Sequence, residues 1–176
     1  MKTDRCCDKV KGQINQSTDV RGEVMKMIGK LNSGDYITID LFGQKREVMV
    51  FSTGDNQFDE NGNYKEDGFA LSDEEIHCLN WFLQTIKIED YKQAIVEYCN
   101  ELYEMVGEKQ IEEAEVEKEI DICAIAINVT ELIGDKDFVY PEISFYGTCE
   151  CDPEHGICIG FRDQKFLGIG SQDWTL

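Results

Sequence analysis

Residues 141–174 read PEISFYGTCECDPEHGICIGFRDQKFLGIGSQDW, and their periodicity decides the fold class. Between residues 142 and 152 the chain alternates. Ile143, Phe145, Cys149 and Cys151 fall on one parity with Gly147 among them, while Glu142, Ser144, Tyr146, Thr148, Glu150 and Asp152 fall on the other. Period two marks a half-buried strand. Asp152-Pro153 breaks the run, because proline has no amide hydrogen for a ladder. A second alternation sets His155, Ile157, Ile159 and Phe161 against Gly156, Cys158, Gly160 and Arg162. Residues 162–165 then form a polar turn and residues 166–170 a third short strand. Together they predict an antiparallel meander that closes one sheet.

Upstream, residues 36–42 place Ile37, Ile39 and Leu41 on one face. After a tight connection at Gly43-Gln44, residues 45–52 return as a second strand, which predicts a hairpin. Residues 53–69 form a long polar loop. Its Asp59-Glu60-Asn61-Gly62-Asn63 run fits no EF-hand register, since glycine and the final glutamate never fall together at the required positions. Ser72 to Glu75 is a capping box, and Ile76, Leu79, Leu83 and Ile86 make the inner stripe of the helix it starts. A second helix begins near Glu89. Its stripe is Tyr91, Ala94, Ile95, Tyr98, Leu102, Met105 and Val106, with Glu97, Glu101 and Glu104 outside and Gly107 at its end.

Six glutamates between residues 108 and 119 read as a solvated face. Residues 120–129 are rich in β-formers, with Cys123, Ile125, Ile127 and Val129 on one parity. Residues 130–139 make a connection containing Gly134-Asp135. A hairpin, two helices and then several strands predict an α+β fold: a mainly antiparallel sheet with two consecutive helices packed on one face. Residues 1–17 are expected to be a flexible N-terminal arm, and residues 18–176 a single domain.

The chain has 176 residues, enough for a core of its own, and its 41% hydrophobic and 10% aromatic content argue against disorder. No apolar run is long enough to span a bilayer, and no apolar h-region opens the chain, which predicts a cytoplasmic protein. Its eight cysteines are then expected as thiols. Cys78, Cys99 and Cys123 stand singly and read as small hydrophobes in or near the core. The formal net charge is −19. Residues 1–35 hold seven Lys/Arg against five Asp/Glu, so the remainder carries −21. Such a field repels nucleic acid and anionic membranes and suits a basic protein partner.

The sharpest chemistry sits in the hairpin. Cys149, Cys151 and His155 share a parity and are zinc-ligand types, whereas Cys158 lies on the opposite parity. That allows a three-ligand site completed by water. A thiolate–imidazolium pair of Cys149 or Cys151 with His155 is the enzymatic alternative, a thiol- or zinc-dependent hydrolase. The structural reading keeps the thiols inward, His155 locking the hairpin, and no cofactor. No nucleophile elbow, phosphate loop or dinucleotide fingerprint accompanies these residues.

The run Cys149-Glu150-Cys151-Asp152-Pro153-Glu154-His155-Gly156, followed by Gly170-Ser171-Gln172-Asp173, resembles the C-terminal signature of an uncharacterised bacterial domain family. Members commonly carry a Cys-x-Trp-Asp-x-Glu-His-Gly hairpin and then a strand ending in Gly-x-x-Asp; here Cys151 stands where the family usually has Trp. The likeness covers roughly residues 35–174. It implies a first strand near residues 24–31, although Val20, Val24, Met27, Ile28 and Leu31 also fit one helical face. The family has no established activity, and its members are similar in style to immunity proteins of bacterial toxin systems. The expectation is therefore a non-catalytic binding protein that captures a basic partner, with Glu154, His155 and Trp174 as contact residues.

Overall fold

A computed structural model describes residues 14–18, 24–54, 57–65, 68–129 and 139–175. Much of the expected arm, including Cys6-Cys7, and the connection at Gly134-Asp135 lie outside these residues. The hairpin forms as read, from β3 (Tyr36–Leu41) and β4 (Gln44–Ser52). Phe42 and Gly43 at its tip both have positive φ. That is the mirror-image turn whose twist matches the flanking strands. N-terminal to it, β1 (Ile14–Thr18) and β2 (Val24–Ile28) pair as a separate two-stranded ribbon. β1 overlaps the segment expected as an arm.

The chain then crosses through α1 (Asp73–Thr85), α2 (Lys92–Val106) and the short α3 (Val116–Glu119) to β5 (Ile120–Ile127). β5 lies parallel to β4. A parallel neighbour needs a long connection, and the helices supply it. β6 (Ile143–Cys149), β7 (Ile157–Arg162) and β8 (Lys165–Gly170) follow as the expected antiparallel meander. The six strands from β3 to β8 stand in sequence order in one mainly antiparallel sheet, so the protein is α+β.

Helix placement follows from specific contacts. The capping box at Ser72 and Glu75 forms: Glu75 accepts from the Ser72 amide at 2.7 Å, and the Ser72 hydroxyl accepts from the Glu75 amide at 3.2 Å. Buried Asn80 on α1 accepts from the Ile28 amide and donates to the Ile28 carbonyl, stitching β2 to α1. Phe82 is fully buried, with its ring 4.7 Å from Phe145 and 5.3 Å from Phe161. Tyr91 stacks edge-on against Phe161 at 5.1 Å. No helix among the described residues is long and apolar enough to cross a membrane. Asp59 holds its loop closed by accepting the Asn61 and Asn63 amides, so its carboxylate serves the loop's own backbone.

One irregularity changes the reading of β5. Ile122 pairs with Gly147 and Ala124 with Tyr146, which leaves Cys123 as an extra residue. A bulge of this kind reverses parity. Ile120 and Ile122 face the core before it, and Ile125 and Ile127 after it. Cys123, expected in or near the core, is exposed. Opposite the bulge, a Cβ on Gly147 would stand 2.2 Å from the Asp121 carbonyl oxygen and 2.8 Å from the Ile122 Cα. Both are backbone atoms with no rotamer in which to retreat. Gly147→Ala should therefore cost about 1–3 kcal/mol or more, read as a lower urea midpoint. An unchanged midpoint would refute the close approach.

Candidate thiol–carboxylate centre

Four segments converge at the end of β6. Cys99 lies on the buried side of α2, Cys149 ends β6, Cys151 sits in the turn after it, and Glu119 ends α3. The Glu150 amide donates to the Glu119 carbonyl at 2.9 Å, which aligns the turn with the end of α3. The sulfurs of Cys99 and Cys149 are 3.7 Å apart, those of Cys149 and Cys151 2.8 Å, and those of Cys151 and Cys99 3.1 Å. One donor atom from each of Cys99, Glu119, Cys149 and Cys151 lies within 4.8 Å of every other.

The surroundings bias the charges of this group. Hydrogen bonding with the Cys151 and Cys99 thiols holds the Cys149 thiol well below its usual range, against the effect of burial. Hydrogen bonding with Cys149 pushes the Cys99 and Cys151 thiols up, and burial adds to the shift. The cluster thus favours one negative sulfur and resists a second. Burial raises the Glu119 carboxyl, against which the Tyr103 hydroxyl and the Cys151 amide pull down. The Tyr103 hydroxyl donates to Glu119 Oε1 and fixes the carboxylate. Burial, aided at Cys78 by the charges of Glu142, Glu74 and Glu75 and opposed at Cys158 by Ser144, pushes Cys78 and Cys158 up to about 12, as expected of inert core thiols.

Of the residues singled out by sequence, Cys149 and Cys151 come together and His155 stands apart from them. Its Nδ1 lies 2.9 Å from Asp152 Oδ1, its backbone amide donates to the same oxygen, and its ring is exposed. Glu154 is exposed beside it. Trp174 is half-buried and lies against a lane of glycines: a Cβ on Gly160, Gly168 or Gly170 would meet its ring at 3.1, 3.4 or 3.0 Å. Its indole N–H donates to the Val139 carbonyl. Gln172 next to it reaches the Gly147 carbonyl at 2.6 Å, so the C-terminal turn braces the bulge.

Cys99 and Glu119 were missed. Cys99 lies four residues after Ile95 on the helical stripe, where a cysteine reads as core. Glu119 is one of six glutamates, and only its position directly before a strand distinguishes it.

Fold and site together define an α+β domain with a mainly antiparallel six-stranded sheet and a buried thiol–carboxylate centre. The chain belongs to the family described as a domain of unknown function (DUF6985), whose model matches residues 22–176. No curated protein and no solved structure matches it.

The hydrogen bond that Asp152 accepts from the imidazole, aided by its charge, raises the His155 pKa above 6.5. A raised folded-state pKa gives stabilisation that is fully present below 6.5 and lost as pH rises through the folded value. An NMR titration of the imidazole should therefore show a midpoint above 6.5, and Asp152→Asn should bring it back down. An unshifted midpoint in the wild type would contradict the pairing.

Proposed function

We propose that this protein is a non-catalytic binding protein that captures a basic protein partner on the C-terminal turn of α2, in the manner of an immunity protein. In this reading α1 and α2 lie together on one face of the sheet, and the outer side of α2 meets the partner. One observation carries it: Met105 and Val106 are 74% and 70% exposed and stand among exposed Glu101, Glu104 and Glu108. The helical stripe counted Met105 and Val106 as inner positions. Ile95, Val96 and Cys99 are the buried ones, and the last turn faces solvent instead.

This surface is electrostatically uncomfortable. The last turn of α2 carries no basic residue. It ends at left-handed Gly107, with the Gly107 amide donating to the Glu104 carbonyl and the Glu108 amide to that of Tyr103. A helix C-terminus is the negative end of the macrodipole and favours cations. Here it carries glutamates, within a chain of net charge −19. A partner that supplies Lys or Arg relieves that repulsion, and the Met105–Val106 pair gives it an apolar anchor. The same charge disfavours nucleic acid and anionic membranes as partners. The alternative hydrolase built on Cys149, Cys151 and His155 has less support, since His155 is engaged by Asp152.

Three measurements test the reading. Glu104→Lys should stabilise the free protein by about 0.3–1 kcal/mol in urea unfolding. A photo-crosslinking residue at position 105 should capture a basic protein in cells. The affinity of the wild type for that protein should fall at least about tenfold between low and high salt, and again with Glu104→Lys. Capture of a neutral or acidic protein, or an affinity indifferent to both changes, would contradict the proposal.

A further inference from the structure

We propose that Cys99, Cys149, Cys151 and Glu119 are the four ligands of a zinc ion that clamps α2 and the end of α3 to the turn after β6. The set differs from the Cys149, Cys151 and His155 trio suggested by strand parity, and it completes four-coordination without water. It is also independent of partner capture, because the ion would hold the inner side of α2 whatever its outer turn meets.

The donor types and their placement carry the inference. Zinc takes thiolate and carboxylate ligands in tetrahedral sites, and a closed set of protein donors is the mark of a structural site. Three sulfurs exclude the hard cations calcium and magnesium, which require oxygen. The ligands come from three separate stretches of sequence: Cys99 on α2, Glu119 at the end of α3, and the Cys149–Cys151 pair at the end of β6 and the turn beyond it. The Cys149–Cys151 pair is local, whereas Cys99 and Glu119 reach it only through the packing of α2 and α3. A tetrahedral zinc with Zn–S of about 2.3 Å has S···S edges of about 3.8 Å. The Cys99–Cys149 edge, at 3.7 Å, already has that length. The two edges to Cys151, at 2.8 and 3.1 Å, each open by about 1 Å or less, and Cys151 sits on a half-buried turn that can yield.

The outer contacts fit as well. The Asp152 amide donates to the Cys149 carbonyl at 3.2 Å, which closes the turn that carries Cys151. Tyr103 holds Glu119 through Oε1, the kind of outer hydrogen bond that orients a metal-bound carboxylate. Binding is a proton exchange, in which the thiols release their protons to solvent as zinc takes their place.

The test uses reduced, metal-free, full-length protein titrated with Co²⁺ as an optical stand-in, then with Zn²⁺. About one equivalent of Co²⁺ should give thiolate-to-cobalt charge transfer and the d–d bands of a tetrahedral site, both removed by about one equivalent of Zn²⁺. Cys151→Ser and Glu119→Gln should each weaken Co²⁺ binding at least about tenfold, while His155→Ala leaves the spectrum and affinity unchanged. Zinc should raise the thermal midpoint of the wild type and leave that of Cys99→Ser unmoved. Cys151→Ser changes one atom on a half-buried turn and keeps the test valid if Cys99→Ser fails to fold. A reduced, folded wild type without the charge-transfer band overturns the proposal. So does a spectrum that survives Cys151→Ser and Glu119→Gln but disappears in His155→Ala.

Discussion

The approach of β5 to β6 at Gly147 is the constraint on which the rest of the sheet depends. The extra residue Cys123 pushes the β5 backbone towards its neighbour, and only a residue without a side chain fits opposite. The consequences run in both directions. Along β5 the parity reverses, so isoleucines reach the core on either side of the bulge. Along β6, Cys149 comes to the inner face two residues beyond Gly147, opposite Ile120 and within reach of the end of α3. The C-terminal turn secures the same point from outside, through Gln172 on the Gly147 carbonyl.

α2 joins the two ends of the account. Its inner side delivers Cys99 to the sulfur cluster, and its outer end exposes apolar residues amid glutamates. These demands compete. A helix optimised for stability would place lysine or arginine in its last turn and turn Met105 and Val106 inward. That it does neither is the physical reason for assigning binding to that end. A clamp at Cys99 would let the helix carry this unfavourable end without losing its seat on the sheet.

The sheet was legible in the sequence because its strands are short, alternating and separated by turn residues. The hairpin at Gly43 and the C-terminal meander form as the alternation predicts. The capping box at Ser72 is equally local, and it forms. What escaped depends on contacts between distant residues. The bulge at Cys123 has no signal of its own, since cysteine fits either face of a strand. Met105 and Val106 satisfy the helical period, yet nothing among the described residues covers that turn. Trp174 looks like a surface anchor in isolation, while three glycines on β7 and β8 provide it with a seat. The thiol centre was half visible: Cys149 and Cys151 are neighbours, whereas Cys99 and Glu119 join them only through the packing of α2 and α3. The parity that recommended His155 failed to bring it to the cysteines because the turn between them places its ring on Asp152.

Zinc-edge X-ray absorption on the zinc-loaded, full-length protein reads the proposed ligand set directly. A shell of three sulfurs at about 2.3 Å and one oxygen at about 2.0 Å is the result expected for Cys99, Cys149, Cys151 and Glu119. A shell dominated by nitrogen and oxygen, with the outer scattering of an imidazole, would contradict it.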